Sequence, residues 1–492
     1  MILDFVTDIE YKDCIFRDTM LTFRFGFDRL DFAFEHERKS AMTATPTAFK
    51  RKAYDEILEW KRTLAGKTAL LVEGARRVGK THLVKRFAEN EYESHVFIDF
   101  SEKGSRTRAF KRAFEECDGT ADLLERLQLA AEVSLVPGRS CVVFDEVQRF
   151  PTAREAIKQL VAYGKYHYIE TGSLLGIAEN VKDIVIPSEE HCVKLHPLDF
   201  EEFLWATGNP KLAGLVRSRR AERKPLGRDM HARAKALARQ HMVVGGMPQS
   251  VEAYLGGGDH RLEAAEAMKR EILRLYAEDI GKFAKGYAPK VRAIFRHIPG
   301  ALNSREKKFR LADVDRNARM RRYENAFLWL SDAMVANIAY NSTDPDVGLE
   351  MSLESTLFKC YSADTGLLVT QAMTGSREID GRVLRGILFD KLGVNEGMFL
   401  ENYVAQALVA SGHDLLFHSR TDPKMEIDFL IRDGIKICPV EVKSAACRRH
   451  ASLDLLMKRC PKRLGAKYVL CAEDVFEEGG VTYLPFYMAY CL

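Results

Sequence analysis

The chain has no run approaching the ~20 consecutive apolar residues of a membrane-spanning helix, and its first residues lack a basic stretch followed by an apolar one. Neither a membrane partner nor a secretory signal is expected. Ten cysteines lie scattered from Cys14 to Cys491 with no C-x-x-C pair and no metal-ligand spacing. Cys141 and Cys438 sit inside apolar runs, so the reading is reduced, buried thiols in a cytoplasmic protein. The thirteen histidines form no H-E-x-x-H group. No internal repeat or low-complexity segment appears. A formal net charge of +4 is too small for overall charge to argue for a polyanionic partner, which leaves only local clustering. The 492 residues exceed the ~250–300 at which single cores stop growing, so more than one core is expected.

The most informative stretch present is Gly74-Ala-Arg-Arg-Val-Gly-Lys-Thr81, which fits G-x-x-x-x-G-K-[ST] throughout. An apolar run, Thr68–Glu73, precedes it and reads as a buried strand; His82–Glu89 reads as a helix. Strand, glycine-rich turn and helix together make a phosphate site. Gly74, Ala75, Arg76, Arg77, Val78 and Gly79 would curl their amides toward one point, aided by the positive helix N-terminus. Lys80 would reach the β- and γ-phosphates of ATP, and the Thr81 hydroxyl would ligate Mg²⁺. Arg76 and Arg77 are read as packing or ion-pairing residues rather than as a catalytic arginine.

Cys141-Val-Val-Phe-Asp-Glu146 is an apolar strand ending in two carboxylates. Asp145 suits Mg²⁺ held through its water shell, and Glu146 suits polarising the attacking water. The run Val96–Phe100 is expected to place a strand between those carrying the two motifs, the order of P-loop ATPases with a catalytic glutamate. A further strand, Tyr166–Thr171, leads into Thr171-Gly-Ser173, where the Ser173 hydroxyl would sense the γ-phosphate.

Four segments are expected. Residues 1–41 are an N-terminal extension that is either a genuine small element or lies ahead of a true start at Met42. Residues 42–205 alternate strands and helices as a parallel α/β domain does. Residues 206–345 read as helical and carry basic runs at 217–224 (read as a loop), 303–310 and 315–322, which either face a phosphate backbone or are solvated helix faces. Strands return in 346–492.

Within that last segment, Met425–Ile431 and Lys436–Lys443 flank Asp433-Gly434, a hairpin-turn signal. A two-residue turn there sets Asp428 opposite Pro439, with Glu441 diagonal and Lys443 on the same face. Two carboxylates and a lysine at one hairpin end suit metal-dependent phosphodiester cleavage: Asp428 and Glu441 to bind Mg²⁺, Lys443 to position the water. The alternative is an ordinary solvated ion pair.

Taken in order, these motifs resemble a family of bacterial and archaeal AAA-type ATPases that carry a C-terminal restriction-endonuclease-like domain. The resemblance covers nearly everything after residue 47. It rests on Gly74–Thr81, Val143–Gln148, Glu170–Ser173, Leu195–Phe203, Gly245–Pro248, Asp364–Leu368, Glu401-Asn402, Glu426–Phe429 and Glu441–Lys443. It implies an α/β P-loop NTPase sheet, a helical and winged-helix middle, and a C-terminal α+β PD-(D/E)XK domain in which Glu401 completes the metal cluster. The expected function is a Mg²⁺-dependent ATPase coupled to a domain that binds or cleaves DNA or RNA, with a homo-oligomer or a protein partner open. The alternative is an ATP-driven switch whose C-terminal domain is a catalytically silent interaction module.

Overall fold

The computed structural model describes residues 49–492 apart from 174–188, 285, 346–347, 374–383, 385, 387–395, 423 and 446. The expectation for residues 1–41 lies outside the described residues. The first helix, α1 (Lys52–Thr63), leads into β1 (Ala69–Gly74), α2 (Lys80–Glu91), β2 (Ser94–Asp99), α3 (Ser105–Glu116), α4 (Thr120–Ala131), β3 (Ser140–Asp145), α5 (Pro151–Tyr163), β4 (His167–Gly172) and β5 (Glu190–Leu195). These strands form a parallel sheet of order β2-β3-β4-β1-β5. β1 is apolar on both faces because both are covered: Leu70 and Val72 pack under α1 and α2, while Ala69 and Leu71 join the core of α3–α5.

The strand between β1 and β3 is β4, not the Val96–Phe100 strand, which pairs on the outer side of β3. The expected order is therefore present, but a later strand supplies the insertion. Crossover connections let sequence neighbours lie apart in a sheet.

Six helices follow: α6 (Phe200–Ala206), α7 (Pro210–Glu222), α8 (Arg228–Val244), α9 (Pro248–Gly256), α10 (Arg261–Phe283) and α11 (Ala288–Asn303). Most of the 217–224 run is thus helical, and its arginines reach Glu201, Glu222, Tyr468 and Glu477. After α12 (Glu324–Asp332), β6 (Ala336–Ser342) opens the second sheet, so the boundary expected at 345/346 falls inside that sheet. Among the described residues no strand lies between 206 and 335, and the wing that the resemblance implies is not built there.

The second sheet has the order β12-β13-β11-β10-β9-β8-β6-β7. Its remaining strands are β7 (Leu353–Ser362), β8 (Leu416–Thr421), β9 (Lys424–Asp433), β10 (Lys436–Val442), β11 (Tyr468–Cys471), β12 (Phe476–Glu478) and β13 (Val481–Pro485). Helices α13 (Thr365–Ala372), α14 (Glu396–Ala410) and α15 (Ala451–Arg459) are interleaved with them. The ATPase-like sheet, the helices and this sheet share one compact unit, Lys50–Leu492. Among the described residues no helix is long and apolar enough to cross a membrane.

Candidate functional site

The loop 75–79 joins the end of β1 to α2. Gly74 has no room for a side chain: a Cβ would lie 2.5 Å from the Leu195 carbonyl oxygen at the end of β5. Gly79 caps α2 at φ 100°, and Arg77 also has a positive φ, 70°. Among the described residues the amides of Arg76, Arg77 and Gly79 meet no backbone carbonyl, which leaves them free for phosphate oxygens. The Lys80 ammonium is buried and donates to the carbonyls of Gly74 (2.9 Å) and Ala75 (3.1 Å). Burial lowers its pKa to about 8, opposed by Glu146 and Asp145.

Thr81 and Asp145 meet as expected, the hydroxyl lying 2.9 and 3.1 Å from the two carboxylate oxygens. Burial pushes the Asp145 carboxyl up to about 6. Thr171, at the end of β4, donates to Asp145 and accepts the Glu146 amide at 3.3 Å. Glu146 sits in the left-handed region at φ 56° and accepts from Gln148 at 2.6 Å; Gln148 also approaches the Ser173 hydroxyl at 3.4 Å. Thr171 is thus the hydroxyl that touches the acidic pair, and Ser173 reaches Glu146 only through Gln148. Sequence reasoning passed over Gln148 and did not foresee that Thr171, rather than Ser173, bonds the acidic pair. The donor set (one hydroxyl, one carboxylate and a free amide cradle) fits a Mg²⁺–triphosphate, with Thr81 and Asp145 to hold the metal.

The loop is fastened from outside by motifs whose purpose the sequence did not disclose. Asp199 and Glu202 form a capping box on α6. Glu202 also holds the Arg51 guanidinium at 3.2 Å, and Arg51 donates to the carbonyls of Val78 (3.1 Å) and His196 (2.5 Å). Arg76 pairs with Asp279 of α10 at 2.5 Å, and Tyr276 donates to the Arg76 carbonyl at 3.2 Å. Pro248 lies against Gly79. The Gly246 carbonyl accepts the Leu198 amide (2.7 Å) at a spot where a Cβ would fall 2.2 Å from the Leu198 oxygen, and the Gly246 amide donates to the buried Asp364 (2.6 Å). Asp364 in turn caps α13. Asn402 and Gln406 of α14 accept from the amides of Ser362 and Thr365 on either side of it.

At the second sheet, the β9–β10 turn is Gly434-Ile435, with Asp433 opposite Lys436 and Phe429 opposite Val440. Continued by one pair, that register sets Asp428 opposite Glu441 rather than Pro439. The expected register was off by two, and an even slip keeps every side chain on its face. Asp428 accepts the Val442 amide at 2.8 Å, and Lys443 pairs with Glu441 at 2.8 Å. Glu401 of α14 accepts from Tyr361 (2.6 Å) and Lys359 (3.0 Å) of β7.

The metal trio expected of Glu401, Asp428 and Glu441 is not assembled. Among the described residues no three His, Cys, Asp or Glu side chains are grouped to hold a metal ion. A lysine occupies the middle instead. Lys359 of β7, fully buried, reaches Glu401 (3.0 Å), Glu426 (2.9 Å) and Asp428 (3.8 Å). Lys307 pairs with Glu401, and Lys308 lies 3.8 Å from Glu426. These two lysines of the 303–310 run therefore face carboxylates rather than a phosphate backbone. Burial acts to raise the Glu401 carboxyl, but Lys359 and Lys307 hold it below the usual range. Burial and the neighbouring Asp428 push Glu441 up to about 7, and its Oε1 is buried with no hydrogen-bond partner. Lys359 had one sequence signal, a lone lysine inside Leu357-Phe-Lys-Cys-Tyr361; Lys307 lies in the basic run 303–310, which carries no sign of its carboxylate partner.

Residues 66–204 match the family model of the AAA domain, which supports an AAA-type P-loop ATPase domain here. Residues 235–378 and 396–488 match two domains of unknown function, DUF8612 and DUF4143. No curated protein matches the chain. Among solved structures, the Walker-type ATPase PABY2304 of Pyrococcus abyssi is similar at 18% identity, covering 67% of this chain and 97% of that one, with a TM-score of 0.40. Cdc6p from Pyrobaculum aerophilum follows at 11% identity, 71% and 97% coverage and a TM-score of 0.24. A Drosophila ORC bound to DNA is 12% identical over 67% of this chain and 96% of that one, with a TM-score of 0.25. At these TM-scores the three likenesses carry no weight for fold or function.

Proposed function

We propose that this chain is a Mg²⁺-dependent ATPase whose nucleotide loop is wired to a carboxylate–lysine cluster in the second sheet, a cluster directed at nucleic acid. The observation that carries the ATPase reading is the convergence at the C-terminal ends of parallel strands: Lys80 on the loop, Thr81 and Thr171 on Asp145, and Glu146 held by Gln148. In this reading the loop amides and Lys80 bind the β- and γ-phosphates. Thr81 and Asp145 hold Mg²⁺, which neutralises charge on the phosphates. Glu146 orients the attacking water and takes its proton. The AAA-domain match over 66–204 supports the same assignment.

Asp428, Glu441 and Lys443 share one hairpin end with Glu401 behind them, in the residue types that phosphodiester cleavage uses. The lysine-filled cluster equally favours the second reading, a catalytically silent module that reports the nucleotide state to a protein partner.

The test is MgATP binding and turnover. Lys80→Ala is expected to abolish saturable binding. Glu146→Gln is expected to keep binding and lower turnover by ~100-fold or more, the scale of losing a general base. Wild-type binding undiminished in Lys80→Ala refutes the ATPase reading. Divalent-dependent cleavage of plasmid, single-stranded DNA or RNA that disappears in Asp428→Ala separates the nuclease from the silent module.

A further inference from the structure

Between α11 and α12 the chain makes two short 3-10 turns, Leu311–Asp313 and Met320–Arg322. Four arginines lie here, Arg316, Arg319, Arg321 and Arg322, with no lysine among residues 311–323. All four are exposed. Among the described residues none of their guanidinium groups has a hydrogen bond or an ion pair. The acids nearby are engaged elsewhere. Asp315 accepts the Asn317 amide (3.0 Å) and the Tyr323 hydroxyl (3.2 Å), Asp313 faces His297 (4.0 Å), and Glu306 pairs with Arg310 (3.1 Å). Glu324 opens α12 and meets none of the four arginines.

The segment keeps its shape without those side chains. The Ala318 amide bonds the Asp315 carbonyl and the Arg322 amide the Arg319 carbonyl, both at 2.9 Å. Lys290 of α11 donates to the Arg322 carbonyl (2.8 Å) and stands over the Tyr323 ring at 5.4 Å, one more cation beside the four. The other basic run behaves differently: Arg217, Arg219, Arg223 and Lys224 all pair with carboxylates. Residues 315–322, with four arginines and one aspartate, therefore concentrate a net charge of +3 on a chain whose whole formal charge is +4.

The kind of partner follows from what the segment offers and lacks. Every cation in it is arginine, whose planar fork grips phosphate oxygens bidentately. Tyr323, its aromatic residue, is buried, so the segment presents no exposed ring on which unpaired bases could stack. No large apolar side chain within 311–327 is exposed, which leaves nothing to insert into a lipid surface. The same connection meets Glu426 through Lys308, so it joins the arginines to the rim of the carboxylate cluster. We propose that residues 315–322 are a docking surface for the phosphate backbone of a double-stranded nucleic acid, bound without reading its bases. The inference rests on the nucleic-acid-directed reading of the second sheet and names where that partner is held.

The test is fluorescence anisotropy of labelled DNA and RNA duplexes and single strands with the full chain, across a salt series. Arg316→Gln/Arg319→Gln/Arg321→Gln/Arg322→Gln is expected to lower the slope of log affinity against log salt by about 3–4, at ~0.9 per lost phosphate contact, and to weaken duplex binding at low salt by ~100-fold or more. Lysine at the same four positions should keep the wild-type slope, and Arg223→Gln/Lys224→Gln, in the paired run, should bind as wild type does. Duplexes of unrelated sequence should bind alike. If the fourfold glutamine variant does not fold, Arg316→Gln/Arg319→Gln is expected to lower the slope by about 2. Duplex binding with an unchanged slope in the glutamine variants would overturn this surface and leave the nucleic-acid reading standing. No binding of any DNA or RNA by wild type would overturn both. Arginine-dependent binding of polyglutamate or of phosphatidylserine vesicles in their place would assign the patch to an acidic protein or a membrane.

Discussion

Replacing Asp364 with alanine tests whether the Gly-Gly-Met-Pro turn is held in place by one buried carboxylate. Asp364 is 1% exposed. It accepts the Gly246 amide at 2.6 Å and the Leu367 amide at 2.8 Å, and the buried Lys269 adds a favourable charge. Alanine leaves two buried amides without their acceptor, and each such charge-assisted bond contributes about 1.5–3 kcal/mol. Lys269 keeps Glu266 at 3.1 Å and two backbone carbonyls, so it is not orphaned. Burial of the carboxylate is itself costly, which is why its pKa is raised, and the substitution removes that cost. The net expectation is a loss of about 3–5 kcal/mol. Asp364→Asn keeps one carbonyl oxygen for the helix cap and is expected to lose roughly half as much. Urea unfolding followed by circular dichroism reads both values. Because the turn lies against Gly79, MgATP affinity should weaken in the same order, alanine beyond asparagine. A loss below ~1 kcal/mol for Asp364→Ala, or asparagine costing more than alanine, would refute the reasoning.

Two other predictions concern stability. His241 is buried, its Nε2–H donating to the Leu198 carbonyl and its Nδ1 facing the Tyr403 hydroxyl, and burial lowers its pKa from 6.5 to about 4. Between those values the unfolded chain binds the extra proton, so stability should fall by about 3 kcal/mol as pH drops from 6.5 to 4. Thermal unfolding across that window, compared with His241→Gln, should show the slope flatten in the variant; an unchanged slope would count against this account. Lys359→Met removes the buried cation shared by Glu401, Glu426 and Asp428 and is expected to cost about 3–5 kcal/mol, checked by denaturant titration; a cost under ~1 kcal/mol would show that the lysine is not what balances these acids.

Much of the nucleotide site was legible because its chemistry is local. Gly74–Thr81 is contiguous, and the backbone that cradles a phosphate is the backbone of those same residues. Asp145 and Glu146 end an apolar strand, and a parallel sheet delivers such ends to one edge. The insertion of β4 between β1 and β3 was not legible, since strand order follows crossovers that the sequence does not mark. The choice of Thr171 over Ser173 was also hidden, because both hydroxyls flank the same glycine and only the strand's end position decides which meets Asp145.

The sequence by itself determined the phosphate loop, the acidic strand end, the alternation that makes a parallel sheet, and the placing of Asp428 and Glu441 on one face of their hairpin, which even a misplaced turn preserved. Only the tertiary structure decided what the other motifs do. Gly246, Pro248, Asp199 and Asp364 became fastenings of the loop, and Lys307, Lys308 and Lys359 filled the carboxylate cluster. The reason is range. A backbone cradle or a strand's two-residue period is written in neighbours, whereas a buried charge is balanced by whichever opposite charge the fold brings within a few ångströms, here from as far as 203 residues away along the chain.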